Sequence, residues 1–162
     1  MKRLLLFLLV VTLPFGSFAQ SVDSLLRVVK TMPEDTNRVM TFRQLFLAYY
    51  GLDQQPEMLD VAEKGLVLSR KLQFAKGIDL FLFYKASSLD IMGKSNEAIP
   101  YFEEGLQWAQ KQGDKKAVAN YDVNIGAAYY GIGNLDKALQ HYLSAYGIYK
   151  ELDMQKNLSK VL

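Results

Sequence analysis

The sequence predicts an all-α fold, a solenoid of stacked antiparallel helix hairpins, and three observations carry that expectation. Small and aromatic residues return every 40 positions: Gly126, Gly133, Ala138, Tyr142 and Ala145 in one copy answer Ala86, Gly93, Ala98, Phe102 and Gly105 in the copy before. An apolar face recurs in one register at helical spacing. It reads Leu135, Ala138, Leu139, Tyr142, Ala145, Tyr146 and Tyr149, then Ala98, Ile99, Phe102, Gly105, Leu106 and Ala109, then Met58, Leu59, Ala62, Gly65, Leu66 and Ser69. Between two apolar patterns stands Gly133-Asn134, where glycine supplies a left-handed helix stop at little steric cost. A fixed period outranks local readings, because one repeat cannot bury its apolar face alone and stacked neighbours can.

Residues 1–19 read as a secretory signal peptide. Lys2 and Arg3 precede the apolar run Leu4–Leu13, and Ser17-Phe18-Ala19 supplies a small-x-small cleavage site. The run is too short to span a bilayer comfortably, so cleavage and export to a periplasmic or other extracytoplasmic space are expected. The chain has no cysteine, which removes a lipid-anchoring cysteine, a disulfide framework and thiol redox chemistry.

Residues 20–31 place Val22, Leu25, Leu26 and Val29 at helical spacing and read as an N-terminal capping helix. A turn follows over Met32–Thr36, with Asp35 or Thr36 as N-cap. Three repeats are expected, at 36–75, 76–115 and 116–155. In the first, Pro56 opens the second helix, a position that suits proline. In the second, Pro100 lies one turn into the second helix and removes one backbone hydrogen bond. In the third, Gly126 and Ala138 allow close approach across the hairpin while Tyr129 and Tyr142 fill the flanks. Residues 156–162 align with the start of repeat three. They are expected to begin a fourth first helix or to form a cap, and a break inside a repeat favours a fragment of a longer protein.

At Gly126, Tyr129, Gly133, Ala138, Tyr142 and Ala145 the chain resembles the tetratricopeptide repeat (TPR) family, whose small–aromatic–Gly–Ala–aromatic–Ala signature these residues match. The resemblance covers roughly residues 36–162. It departs from the pattern in repeat one, where Asp53 stands for the turn glycine, Met58 for the close-packing alanine and Ala62 for the aromatic. Lys85 occupies a place where an apolar residue is expected. The usual unit is about 34 residues, so a period of 40 places the chain with the long repeats. The resemblance implies a right-handed α-solenoid and a protein-binding role.

Composition excludes several function classes. Of 19 basic and 17 acidic residues, two of the basic ones lie in the leader, so the remainder is formally neutral. Nucleic-acid binding needs a basic face, and no strong attraction to an anionic membrane is expected. His141 is the only histidine, which leaves no convergent metal or catalytic set. Gly93-Lys94-Ser95 lacks the earlier glycine of a phosphate loop, Ser88 standing there, and reads as a helix–helix turn with Ser95 as N-cap. Glu103-Glu104 and Glu34-Asp35 diverge on a helix and read as solvated faces. No enzyme activity, cofactor, metal or membrane insertion of the mature chain is expected.

The resemblance also implies a concave groove lined by the first helices. Carried over residue by residue, its members are Arg43, Gln44, Leu47 and Tyr50, then Phe83, Tyr84, Ser87 and Asp90, then Asn120, Val123, Asn124, Ala127 and Tyr130. Aromatics, amides and few charges suit an extended peptide. The Lys/Asn set that clamps a terminal carboxylate in some family members is missing, so chaperone tails are disfavoured. The expected function is a non-catalytic module binding a peptide or protein segment in that groove. The alternative is the extracytoplasmic sensory part of a longer signalling protein, a histidine kinase or a transcription regulator, which such secreted arrays resemble.

Overall fold

The computed structural model describes the backbone of residues 15–154 and the side chains of residues 22–154. Residues 1–14 of the expected leader and all of 156–162 lie outside the described residues. Among the described residues there are seven helices and no strand: α1 (Phe15–Thr31), α2 (Thr36–Gly51), α3 (Gln55–Lys71), α4 (Ala75–Ile91), α5 (Ser95–Gln112), α6 (Lys115–Gly131) and α7 (Leu135–Glu151). Each packs on the helix before and after it in the chain, and α2 also touches α4. The all-helical solenoid expected from the period is what forms. Helix α1 starts five residues ahead of Gln20, since nothing from Phe15 onward breaks a helix. It buries Val22 and Val29 against the first hairpin, with Leu25 and Leu26 partly covered.

The helices end alike, at a spacing of half a repeat. Residues 53, 73, 93, 113, 133 and 153 all lie in the left-handed region, with φ from 52° to 78°. At each, two backbone bonds close the helix: Gly133 N–H donates to Tyr130 O (3.0 Å) and Asn134 N–H to Tyr129 O (2.9 Å), and the other five repeat this pair. Orphan carbonyls of the last turn are satisfied in this way. Three of these positions are glycine; Asp53, Gln73 and Asp153 adopt the same geometry with a Cβ.

N-terminal caps are less regular. Asp35 caps α2 through Arg38 N–H at 3.0 Å, Asp114 caps α6 through Ala117 N–H at 2.9 Å, and Asn134 caps α7 through Lys137 N–H at 3.2 Å. Ser95 is not the cap its position suggested. It is the first residue of α5, Lys94 precedes it, and its hydroxyl turns back to donate to Asp90 Oδ1 at 2.6 Å. The αL turn at Gly93 brings α5 back towards the end of α4, which places Asp90 within reach of that hydroxyl.

Small residues sit where rings press on the backbone. A Cβ at Gly65 would lie 2.2 Å from Phe81 Cε1, and one at Gly126 would lie 2.8 Å from Tyr142 Cε1 and 3.2 Å from Ala138 O. The pairing of Gly126 with Ala138 across the hairpin is therefore present, with the Tyr142 ring laid over the glycine. Lys85, out of place in the apolar pattern, is accommodated by bridging three helices. Its ammonium lies 2.9 Å from Glu63 Oε1 on α3 and 4.3 Å from the Tyr101 ring centroid on α5. Burial alone would lower this group; the bonds to Tyr101 and Glu63 and the Glu63 charge outweigh it and hold it above its ordinary value.

One expected buried face is only half buried. On α7, Ala138, Ala145 and Tyr149 are inside, but Leu135 and Leu139 are 61% and 58% exposed, and Leu143, which is not part of that expected face, is 59% exposed beside them. The residues 40 positions earlier, Ser95 and Ile99, are buried. Helix α5 lies between α4 and α6, whereas no described residue covers the far side of α7.

Candidate functional site

The first helices α2, α4 and α6 form one face, and their equivalent residues fall into rows 40 positions apart. Aromatic contacts tie these helices together directly. Phe46 on α2 stacks on Tyr84 of α4 with ring centroids 3.9 Å apart and planes 3° from parallel. Phe83 on α4 meets Tyr121 of α6 and Phe102 of α5 edge-on, both at 6.0 Å. Phe83 and Tyr84 are thus half-buried floor, each already committed to neighbouring rings.

Two hollows open on this face. The first, about 360 Å³, lies between α2 and α4; Leu47, Tyr50, Phe83, Tyr84, Ser87, Asp90 and Asn124 of the expected groove set line it, with Phe46 and Ile91. The second, about 480 Å³, lies between α4, α6 and the end of α7 and takes in Phe83, Asn120, Val123 and Asn124. Phe83 and Asn124 belong to both and form the wall between them. Arg43, Gln44, Ala127 and Tyr130 line neither hollow. Tyr50 and Tyr130 are 61% and 65% exposed and stand at the ends of their helices.

Polar groups in the second hollow are partly spoken for. Asn120 Oδ1 accepts from Tyr149 O–H at 2.8 Å, and Asn124 Nδ2 donates to the Asn120 carbonyl at 2.7 Å. Asn120 Nδ2 and Asn124 Oδ1 have no partner among the described residues, which leaves an amide nitrogen and an amide oxygen unpaired on residues that line the hollow. Asp79, which sequence reading passed over, lines the same hollow. Its Oδ1 accepts from Tyr121 O–H at 2.8 Å, and its backbone carbonyl lies 3.1 Å from that hydroxyl. Burial first, then the Asp79 charge and hydrogen bond, pushes the Tyr121 phenol far above its ordinary range. Leu80, also unforeseen, was legible: Asn120 lies 40 residues beyond it and was already a member of the set.

The one histidine belongs to a separate cluster. Asp122, 4% exposed, takes a core place that Leu82 and Phe42 hold in the other repeats. Its Oδ1 lies 2.8 Å from His141 Nδ1, and its Oδ2 accepts from Ser144 O–H at 2.5 Å. The His141 ring stacks on Tyr129, with centroids 5.8 Å apart. This brings Asp, His and Ser together in the wrong order for nucleophilic chemistry, because the hydroxyl donates to the carboxylate and not to the imidazole. The arrangement satisfies a buried charge and orients α7 on α6. Among the described residues no His, Cys, Asp or Glu cluster could hold a metal ion, and no helix is long and apolar enough to cross a membrane.

Comparison with known proteins agrees with the helical-hairpin fold. The tetratricopeptide repeat family matches residues 78–151. Among solved structures, the apo form of RapI superposes with a TM-score of 0.78 at 19% identity, over 89% of this chain and 41% of RapI. A putative kinesin light chain from Podosopora anserina with TPR-like repeats gives 0.73 at 18% identity, over 86% of this chain and 70% of that one. A Rap protein complexed with Competence and Sporulation Factor gives 0.71 at 18% identity, over 88% and 41%. The chain thus spans about two-fifths of the length of the Rap chains it resembles. No curated protein matches it by sequence.

Proposed function

We infer, for a chain whose residues 78–151 belong to the tetratricopeptide repeat family, a non-catalytic interaction module that holds an extended peptide or protein segment along the inner face of α2, α4 and α6. The observation that carries this reading is the pair of adjoining hollows sharing Phe83 and Asn124 as their common wall. Each could take a side chain, while the uncommitted amide groups of Asn120 and Asn124 match the alternating donors and acceptors of a peptide backbone. One structure of this fold is of a Rap protein complexed with a factor, so a bound partner is compatible with the architecture. Export, with the segment met outside the cytoplasm, follows from the leader at residues 1–19 and belongs to the same proposal.

The test is a selection of displayed random peptides on the chain, repeated on a variant carrying Leu47→Ala, Tyr50→Ala and Tyr130→Ala. These three side chains are exposed, so their truncation leaves the core alone. Peptides recovered on the unaltered chain should bind the variant about tenfold or more weakly, a loss of roughly 1.4 kcal/mol. Equal affinity for both would place the binding surface elsewhere.

A second reading makes this the extracytoplasmic sensory part of a longer signalling protein, a histidine kinase or a transcription regulator. It is favoured by the row Leu135, Leu139 and Leu143, which a further hairpin would cover as α6 covers Ile99. Sequencing the reading frame beyond Leu162 tests it: an open frame with a membrane-spanning segment supports it, and an immediate stop codon in an intact gene removes it.

A further inference from the structure

The charge of the two hollows points to the kind of segment they take. Among the described residues, Asp90 is the one charged residue lining the first hollow, and Asp79 the one lining the second. Both are half-buried, and among the described residues neither has a basic partner within salt-bridge distance. Their only side-chain donors are neutral hydroxyls, Ser95 to Asp90 and Tyr121 to Asp79, which fix the carboxylates in place without cancelling their charge. The outer hollow between α2 and α3 is the contrast. There Lys71 pairs with Glu34 and Lys64 with Asp60, so that surface neutralises itself.

We propose that the inner groove selects a cationic, apolar segment: an extended peptide that seats an aliphatic or aromatic side chain between α2 and α4 and brings a lysine or arginine to Asp90 and another to Asp79. The proposal rests on the groove reading above and adds the partner's charge. A fixed carboxylate beside apolar walls attracts a cation more strongly than a fully solvated one does and repels an anion by the same field. The wall formed by Phe83 and Asn124 separates the two acids, so the two cations sit on either side of the side chain or amide that crosses it. Arg43, the basic member of the expected groove set, lines neither hollow and does not offset this charge.

Peptide selection from a random hexapeptide library tests this when the recovered pool is compared with the input for charge. Lysine and arginine next to Leu, Ile, Phe or Tyr should be enriched, and recovered clones should bind Asp90→Asn and Asp79→Asn variants about tenfold more weakly. Their affinity for the unaltered chain should also fall as salt is raised. A recovered pool that is neutral or acidic, yet still lost on the Leu47, Tyr50 and Tyr130 variant, would overturn the charge assignment and leave the groove standing. Failure to recover any peptide that distinguishes the two chains would remove both.

Discussion

The ring of Tyr121 presses on Gly105, close enough that a Cβ there would stand 2.3 Å from Tyr121 Cζ. Gly65 and Phe81 make the same contact 40 residues earlier. A glycine on the second helix of one repeat thus receives an aromatic ring from the first helix of the next, and this is how the hairpins stack. Gly105→Ala should therefore cost about 1–3 kcal/mol by overpacking. Gly147→Ala is the control, since it lies inside α7 with nothing within 4 Å of the added methyl. It should stabilise by roughly 0.5–1 kcal/mol. Urea denaturation of the two variants decides the matter by the sign of the midpoint shift.

The half-repeat spacing of left-handed residues gives a second prediction with opposite signs at equivalent sites. Gln73 adopts φ 52° with a side chain, so Gln73→Gly should stabilise by about 1 kcal/mol. Gly93, at φ 73° with open space around it, should lose about as much on Gly93→Ala, from backbone conformation alone. The same sign for both in denaturant melts would mean that the caps do not control these helix ends.

Ile99 and Leu139 hold the same place in consecutive repeats, yet one is buried and the other is 58% exposed. Ile99→Ala should cost about 2–5 kcal/mol, whereas Leu139→Ala should stay within about 0.5 kcal/mol. Equal costs would show that another segment covers α7 in solution.

The sequence made the stacking legible and left the polar exceptions hidden, for a physical reason. Period and helix face follow from apolar and small residues, whose burial is averaged over many contacts, so Ala138, Phe102 and Gly65 could be placed from spacing alone. Leu139 was misjudged because burial also depends on the next helix, which spacing within one helix does not report. Asp122 and Asp79 were missed because a carboxylate reads as solvated unless its partners are known, and those partners lie on other elements. Asp122 did leave a trace: it breaks an apolar row held by Leu82 and Phe42. The groove set was carried over from the family resemblance, residue by residue along the first helices. Its members around Phe83 and Asn124 line the two hollows, whereas Arg43, Gln44, Ala127 and Tyr130 line neither.

Alkaline pH should unfold the chain more steeply than acid does, and Tyr121 should account for much of the slope. Burial, then the Asp79 charge and hydrogen bond, raises the Tyr121 phenol from its usual 10.0. Burial raises Tyr49 and Tyr142 as well, and Lys85 is held above its usual 10.5 by Tyr101 and Glu63 against the opposing effect of burial. In each case the folded state keeps a proton that the unfolded state gives up first. Below the unfolded pKa that contribution is fully present; above it, the unfolded chain binds fewer protons and stability falls until the folded group titrates. The loss should therefore begin near pH 10 and continue upward, with no counterpart from these groups at neutral pH. Tyr121→Phe keeps the ring on Gly105 but removes the titrating hydroxyl and the bond to Asp79. At pH about 8 this variant should be less stable by roughly 1 kcal/mol, the net worth of a hydrogen bond. Above pH about 10 its stability should fall more gently than that of the unaltered chain, so the two curves converge. Urea midpoints measured from about pH 8 to 11 read the slopes directly; parallel curves over that window would show that the Tyr121 proton is not what the fold retains.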